Sequence, residues 1–286
     1  MNTARLIGTA LNTLALPAPA FAGDRARRLW VRTGGTRPVA DQDRDVHESA
    51  RAETLHVGEW EVATYAWGDG ARPVLLAHGW RSRASRFAPL VRRLLDLGYS
   101  PVAWDAPGHG ATGGRAGTIL DALETIGLLQ SRNGHFSAVV GHSLGALFSV
   151  HALREGIGAD RLVLVSGVAD FETVVAGFAA ELRLRPRTVA ALRSAIEHRY
   201  FGGDTTVWTR FSATHDADTL TQPVLLLHDQ EDPMIPHSQS RRVLAALGER
   251  ARLVTTSGLR HNGILADAAS LDRITAFVQG APLALP

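Results

Sequence analysis

Ser137-Ala138-Val139-Val140-Gly141-His142-Ser143-Leu144-Gly145-Ala146-Leu147 holds a short apolar run, a glycine-flanked serine and the start of a helical pattern. Ser137–Val140 reads as a buried strand. Ala146, Leu147, Val150 and Leu153 recur at helical spacing behind it. A strand that turns directly into a helix forces the residue at the corner into strained backbone geometry. Glycines flank it because side chains there would meet the neighbouring strand or helix. Such a corner lifts the serine hydroxyl above the sheet, near the positive end of the helix that follows. With 28 Gly and 15 Ser in 286 residues, chance supplies roughly 0.1 such pentapeptides. The pattern alone is therefore suggestive, and its surroundings decide.

Working outward, apolar runs at Pro73–Ala77, Pro101–Trp104, Arg161–Val165, Pro223–Leu227 and Arg252–Thr255 join Ser137–Val140. Helical patterns separate them near Ser85–Leu97, Thr118–Arg132, Leu144–Glu155, Ser238–Leu247 and Ala268–Val278. Continuous apolar strands with helical crossovers predict a doubly wound, mostly parallel sheet covered on both faces. Thr54–Val57 and Glu61–Trp67 around Gly58-Glu59 predict an antiparallel edge hairpin, giving about eight strands. No strand run appears between Val165 and Pro223. Residues 167–222 read as a helical insertion, a cap expected over the carboxyl ends of the strands, where open α/β sheets bind ligands. The core is then 53–166 and 223–280.

Residues 1–52 precede this core. Ile7, Leu11, Leu14 and Ala18 recur at helical spacing, which predicts an amphipathic helix that packs on the body or lies on a membrane surface. Arg5, the apolar stretch and Ala20-Phe21-Ala22 also fit a cleaved signal peptide. Residency in the cytoplasm is the expectation, with export if residues 1–22 are removed. Thr33–Ala52, polar with adjacent Gly34 and Gly35, reads as a linker or surface-wrapping arm.

Composition excludes several classes. The chain is 45% hydrophobic and 20% charged, within ordinary globular ranges. With no cysteine there is no disulfide, thiol catalysis or cysteine-bound zinc. All 30 basic residues are arginine, yet the formal charge is only +2 and the signs are interleaved, so no nucleic-acid partner is indicated. Histidines are numerous, but no i, i+4 pair shares a helix face with a carboxylate, so no metal site is expected.

A serine nucleophile needs a base, and the base needs an anion to fix its tautomer. In this architecture their chain order is Ser, then Asp or Glu, then His. His228-Asp229-Gln230-Glu231-Asp232-Pro233 follows the Pro223–Leu227 run, and Gly258-Leu259-Arg260-His261 follows Arg252–Thr255. Each candidate stands just beyond a strand's carboxyl end. Asp229 and Asp170 are rivals to Asp232 on this ground.

Taken together, His78-Gly79-Trp80, Asp105-Ala106-Pro107-Gly108-His109-Gly110, Gly141-His142-Ser143-Leu144-Gly145, Asp232-Pro233-Met234-Ile235-Pro236 and His261 resemble the α/β-hydrolase family. The likeness is to its bacterial serine hydrolases and runs from about Val62 to Val278. The resemblance implies Ser143 as nucleophile, His261 as general base and acid, and Asp232 as the orienting carboxylate. It also implies an oxyanion hole from the backbone N–H groups of Leu144 and Trp80. His78 and His109 would then bond backbone in their loops, while Trp80 lines the pocket. Arg81, Arg83, Arg86 and Arg260 stand nearby; they read first as a solvated surface and second as a lure for an acidic substrate.

The expected activity is hydrolysis of a carboxylic ester or related acyl bond, with no cofactor and a small, apolar acyl substrate. Two other readings stand beside it. One is a ligand-binding protein that keeps the fold and turns over little. The other is a membrane-associated lipase or thioesterase held by its N-terminal helix.

Overall fold

A computed structural model describes residues 3–33, 38–115 and 117–281. The apolar runs form strands: β1 Arg51–Val57, β2 Trp60–Ala66, β3 Pro73–Ala77, β4 Ser100–Trp104, β5 Ala138–His142, β6 Leu162–Val165, β7 Val224–Asp229 and β8 Ala251–Thr256. They make one open sheet in the order β1-β2-β4-β3-β5-β6-β7-β8. The β1–β2 and β2–β4 pairs are antiparallel and the remaining pairs parallel. Every residue of β3 to β7 is buried, as strands covered on both faces must be, whereas most of β1 at the edge is exposed. The edge hairpin closes through Gly58-Glu59, with Gly58 at φ 52°, the left-handed backbone that a two-residue turn requires.

The helices are α1 Thr3–Leu14, α2 Pro19–Trp30, α3 Arg44–Glu48, α4 Ala88–Asp96, α5 Ile119–Asn133, α6 Leu144–Arg154, α7 Phe171–Leu182, α8 Pro186–Phe201, α9 Val207–Arg210, α10 Ser238–Leu247, α11 Arg260–Gly263 and α12 Ala268–Val278. On one sheet face Phe87, Leu90, Val91 and Leu94 of the α4 segment and Ile274 and Phe277 of α12 pack on Val74, Leu76, Val140, Val163 and Leu225. Alternation along the strands points Leu75, Val139 and Leu162 the other way. Each fully buried side chain of this size is worth about 1.5–3 kcal/mol. The register sets Ala77 beside Gly141, His142 beside Val165 and Asp229 beside Thr256, so the carboxyl ends of β3, β5, β6, β7 and β8 open onto one edge.

The chain divides into two compact units. The sheet unit comprises residues 33–169 and 216–286, and the helical unit residues 1–32 and 170–215. Within the sheet unit, the described part of the arm after Pro38 is ordered: Val46 of α3 is buried and its carbonyl accepts from Trp67 Nε1 at 2.8 Å. Gly34 and Gly35 lie outside the described residues.

In the helical unit, α1 and α2 pack with α7 and α8 at glycine-deep contacts. A Cβ on Gly8 would overlap the carbonyl of Leu182, and one on Gly23 would lie 2.2 Å from the Ala191 carbonyl oxygen. Asn12 Oδ1 accepts from the Arg185 backbone N–H and Thr188 Oγ1, both at 2.8 Å, while its amide donates to the Arg183 carbonyl at 3.0 Å. Trp30 meets Phe171 edge-on with centroids 5.8 Å apart, and Phe171 stacks on Trp208 at 5.0 Å. Leu11, Ala15, Ala22 and Ala26 are thus built into this unit's core. The Ala20-Phe21-Ala22 sequence sits inside α2, with Ala22 fully buried.

Candidate active site

β5 ends at His142 and α6 begins at Leu144, leaving Ser143 as a one-residue corner with φ 58° and ψ −120°. A non-glycine residue in such geometry costs of order 1–3 kcal/mol, and its surroundings must hold it there. Ser143 N–H donates to the Val165 carbonyl at 2.9 Å, and the Ala146 N–H donates to the Ser143 carbonyl at 3.2 Å. The glycines are needed as the sequence suggests. A Cβ on Gly141 would lie 2.6 Å from Ala146 Cα, and one on Gly145 2.1 Å from the Ala77 carbonyl oxygen.

The loop after β3 passes directly beside the serine. A Cβ on Gly79 would lie 2.6 Å from Ser143 Cβ and 3.1 Å from its Oγ. The next N–H along that loop is Trp80's, and the first N–H of α6 is Leu144's. Two buried groups brace the loop. His78 Nδ1–H donates to the Gly79 carbonyl at 2.8 Å, and its Nε2 accepts from Ala106 N–H at 3.0 Å, which fixes the tautomer. Asp105, fully buried, accepts from Ala84 N–H, Ala111 N–H and Tyr65 Oη at 2.7, 2.7 and 2.9 Å. Arg83 stands 3.5 Å from the same carboxylate.

At the end of β7, Asp232 Oδ2 lies 2.7 Å from Nδ1 of buried His261, which stands in α11 after β8. Asp232 Oδ1 accepts from the N–H groups of Met234 and Ile235 at 2.8 and 3.0 Å. His228 completes the surround. Its Nε2–H donates to the Ile235 carbonyl at 2.9 Å and stands 3.4 Å from Asp232 Oδ2, while Nδ1 pairs with Ser240 Oγ at 2.6 Å. Burial pushes the Asp232 carboxyl up, but the hydrogen bonds from His228, His261 and the Ile235 amide outweigh it. The group is held well below the usual carboxylate range. Asp232 therefore stands beside His261 as a stable anion.

His261 also touches the corner. His142 Nε2–H donates to the His261 carbonyl at 3.0 Å, and the two rings lie 4.9 Å apart. Burial, then the neighbouring His261, lowers His142 to about 3, so its ring stays neutral. Burial and His78 likewise lower His109 to about 4.

The two rival carboxylates are engaged elsewhere. Asp229 accepts from Glu231 N–H at 3.0 Å, Thr256 Oγ1 at 2.8 Å and Leu259 N–H at 3.0 Å, bracing the loop that carries His261. Asp170 caps α7, accepting from Thr173 N–H at 2.7 Å. His228, the Asp229 brace and Asp105 were not assigned roles from sequence. Asp105 stands within a motif that could have signalled it. The bond between His228 and Asp232 is an i, i+4 relation across a loop and has no sequence pattern of its own.

Residues 70–201 match the family model described as serine aminopeptidase, S33, and residues 204–282 the model described as TAP-like protein. Among solved structures, an esterase from Pyrococcus furiosus is 16% identical, covering 86% of this chain and 96% of its own, with a TM-score of 0.64. An esterase from Rhodococcus is 19% identical over 82% of this chain and 100% of its own, with a TM-score of 0.59. Mouse alpha/beta hydrolase domain-containing protein 10 is 18% identical over 81% and 98%, also at 0.59. At these identities the likeness is one of fold.

Proposed function

The chain belongs to the α/β-hydrolase family, and from that premise we propose that it cleaves carboxylic esters through an acyl-enzyme. The observation that carries this reading is the 2.7 Å bond between His261 and Asp232 at the same sheet edge as the strained Ser143 corner.

Asp232, accepting from Nδ1–H, leaves Nε2 of His261 free to act as base. Ser143 Oγ attacks the carbonyl carbon while its proton passes to Nε2. The negative charge moves to the carbonyl oxygen, where the N–H groups of Trp80 and Leu144 receive it. One such donor is typically worth about 3 kcal/mol in the transition state. The acyl–oxygen bond breaks as His261 returns the proton to the departing alcohol. Water, deprotonated by His261, then attacks the acyl-enzyme, and the acid leaves as Ser143 recovers its proton.

The serine aminopeptidase model favours one second reading, in which an amide of an amino acid is the bond cleaved and an amine leaves. Steady-state hydrolysis of p-nitrophenyl esters beside aminoacyl p-nitroanilides separates the two. The proposal expects ester turnover that falls at least about a thousandfold in Ser143→Ala. Turnover of anilides alone replaces it with the peptidase reading. Equal rates in the wild type and Ser143→Ala overturn both.

A further inference from the structure

Among the described residues, five large hydrophobic side chains are strongly exposed, and three of them, Leu6, Leu16 and Phe21, belong to the first 21 residues. Leu16 is 61% and Phe21 50% exposed. They flank the turn between α1 and α2, where Pro17 and Ala20 are exposed as well. Burial within the helical unit does not require these residues: α1 and its turn use Gly8, Leu11 and Ala15 for that. Leu6, Ala10 and Thr13 continue an exposed stripe along α1.

Arginines outnumber carboxylates around this tip. Arg25 lies over the Phe21 ring at 4.7 Å. The turn between α7 and α8 brings exposed Arg183, Arg185 and Arg187 against the last turns of α1, tied through Asn12 and through Arg187 bonds to the Ala15 and Leu16 carbonyls. The same segments carry two carboxylates, an exposed Glu181 and Asp24, the latter engaged by Arg27 and Arg28. The helical unit holds eleven arginines against six acidic residues, while the rest of the chain holds nineteen against twenty-two. The chain's slight positive charge therefore conceals a basic helical unit and an acidic remainder.

We propose that the α1–α2 tip, with the α7–α8 turn, is a docking surface for an anionic lipid bilayer. An apolar prominence ringed by arginines matches the chemistry of that interface. The aliphatic and aromatic groups enter the acyl boundary while the guanidinium groups meet headgroup phosphates. No described helix is long and apolar enough to cross a membrane, so the chain would lie on the surface rather than span it. This inference is independent of the ester-hydrolase reading.

Co-sedimentation of the full chain with vesicles tests it, using phosphatidylcholine alone and phosphatidylcholine mixed with phosphatidylglycerol. The expected result is uptake by the anionic vesicles, weakened by high salt. Leu16→Ser/Phe21→Ser should lower partitioning at least about tenfold. Arg25→Gln/Arg185→Gln should lower it by roughly fivefold or more. Melting temperature and hydrolysis of a soluble ester should be unchanged in both variants, since the replaced side chains are exposed and none belongs to the sheet unit that carries the candidate active site. Three results overturn the proposal: no uptake of wild type, equal uptake of wild type and Leu16→Ser/Phe21→Ser, or a dimer in sedimentation velocity that this variant abolishes while vesicles take up neither. The last assigns the tip to a second copy of the chain.

Discussion

Asp229 and Asp232 both follow β7, and their hydrogen-bond partners separate them. Asp232 faces His261, whereas Asp229 spends its lone pairs on Glu231, Thr256 and Leu259. In Asp232→Asn the amide no longer offers His261 a charged acceptor, and kcat should fall by about 10³–10⁴. In Asp229→Asn the new NH₂ faces a donor, leaving a buried group unpaired at a cost of about 1–3 kcal/mol. Its melting temperature should drop by several degrees while kcat falls less than in Asp232→Asn. Kinetics and thermal melts of the two variants check this; the reverse ranking of kcat would make Asp229 the acid partner. At this scale what was legible is placement: strand order puts Ser143, Asp232 and His261 just beyond β5, β7 and β8, where the structure has them. His228 was not legible, because its contact depends on how the loop from Asp229 to Pro236 folds back on the strand.

The elements show where local pattern misleads. The parallel strands and their crossover helices read clearly because continuous burial imposes continuous apolarity, and the structure moves their ends by at most three residues. The helical spacing of Ile7, Leu11, Leu14 and Ala18 stops short of α2, where Pro17 and Pro19 stand. In the structure Pro19 starts the helix, at the first turn where its missing N–H costs nothing. Gly8 is where α1 meets the Leu182 backbone. Such a notch is invisible until the partner helix is placed. Gly23→Ala puts a methyl 2.2 Å from the Ala191 carbonyl oxygen, and overpacking of this kind typically costs about 1–3 kcal/mol. Hydrogen exchange should quicken in α2 and α8 and stay unchanged in β5 to β8. Unaltered exchange throughout would mean that the contact carries no stability.

Across the whole molecule, acid should be destabilising before the carboxylates titrate. His142 and His109 sit at about 3 and 4 in the folded chain against 6.5 ordinarily, and burial depresses His78 too. A folded value below the unfolded one means that the unfolded chain binds more protons. Stability is therefore complete above about pH 6.5 and drains as pH falls toward 4, by up to about 1.4 kcal/mol per unit for each histidine. Urea midpoints at about pH 7.5 and pH 5 should differ accordingly; equal midpoints would show that these rings accept protons without cost. The ester-hydrolase account itself rests on an activated serine, which can be tested without choosing a substrate. Intact-mass analysis after fluorophosphonate treatment should find one adduct per chain, located at Ser143 and absent in Ser143→Ala. A folded protein that stays unlabelled, or a label that persists in Ser143→Ala, would contradict it.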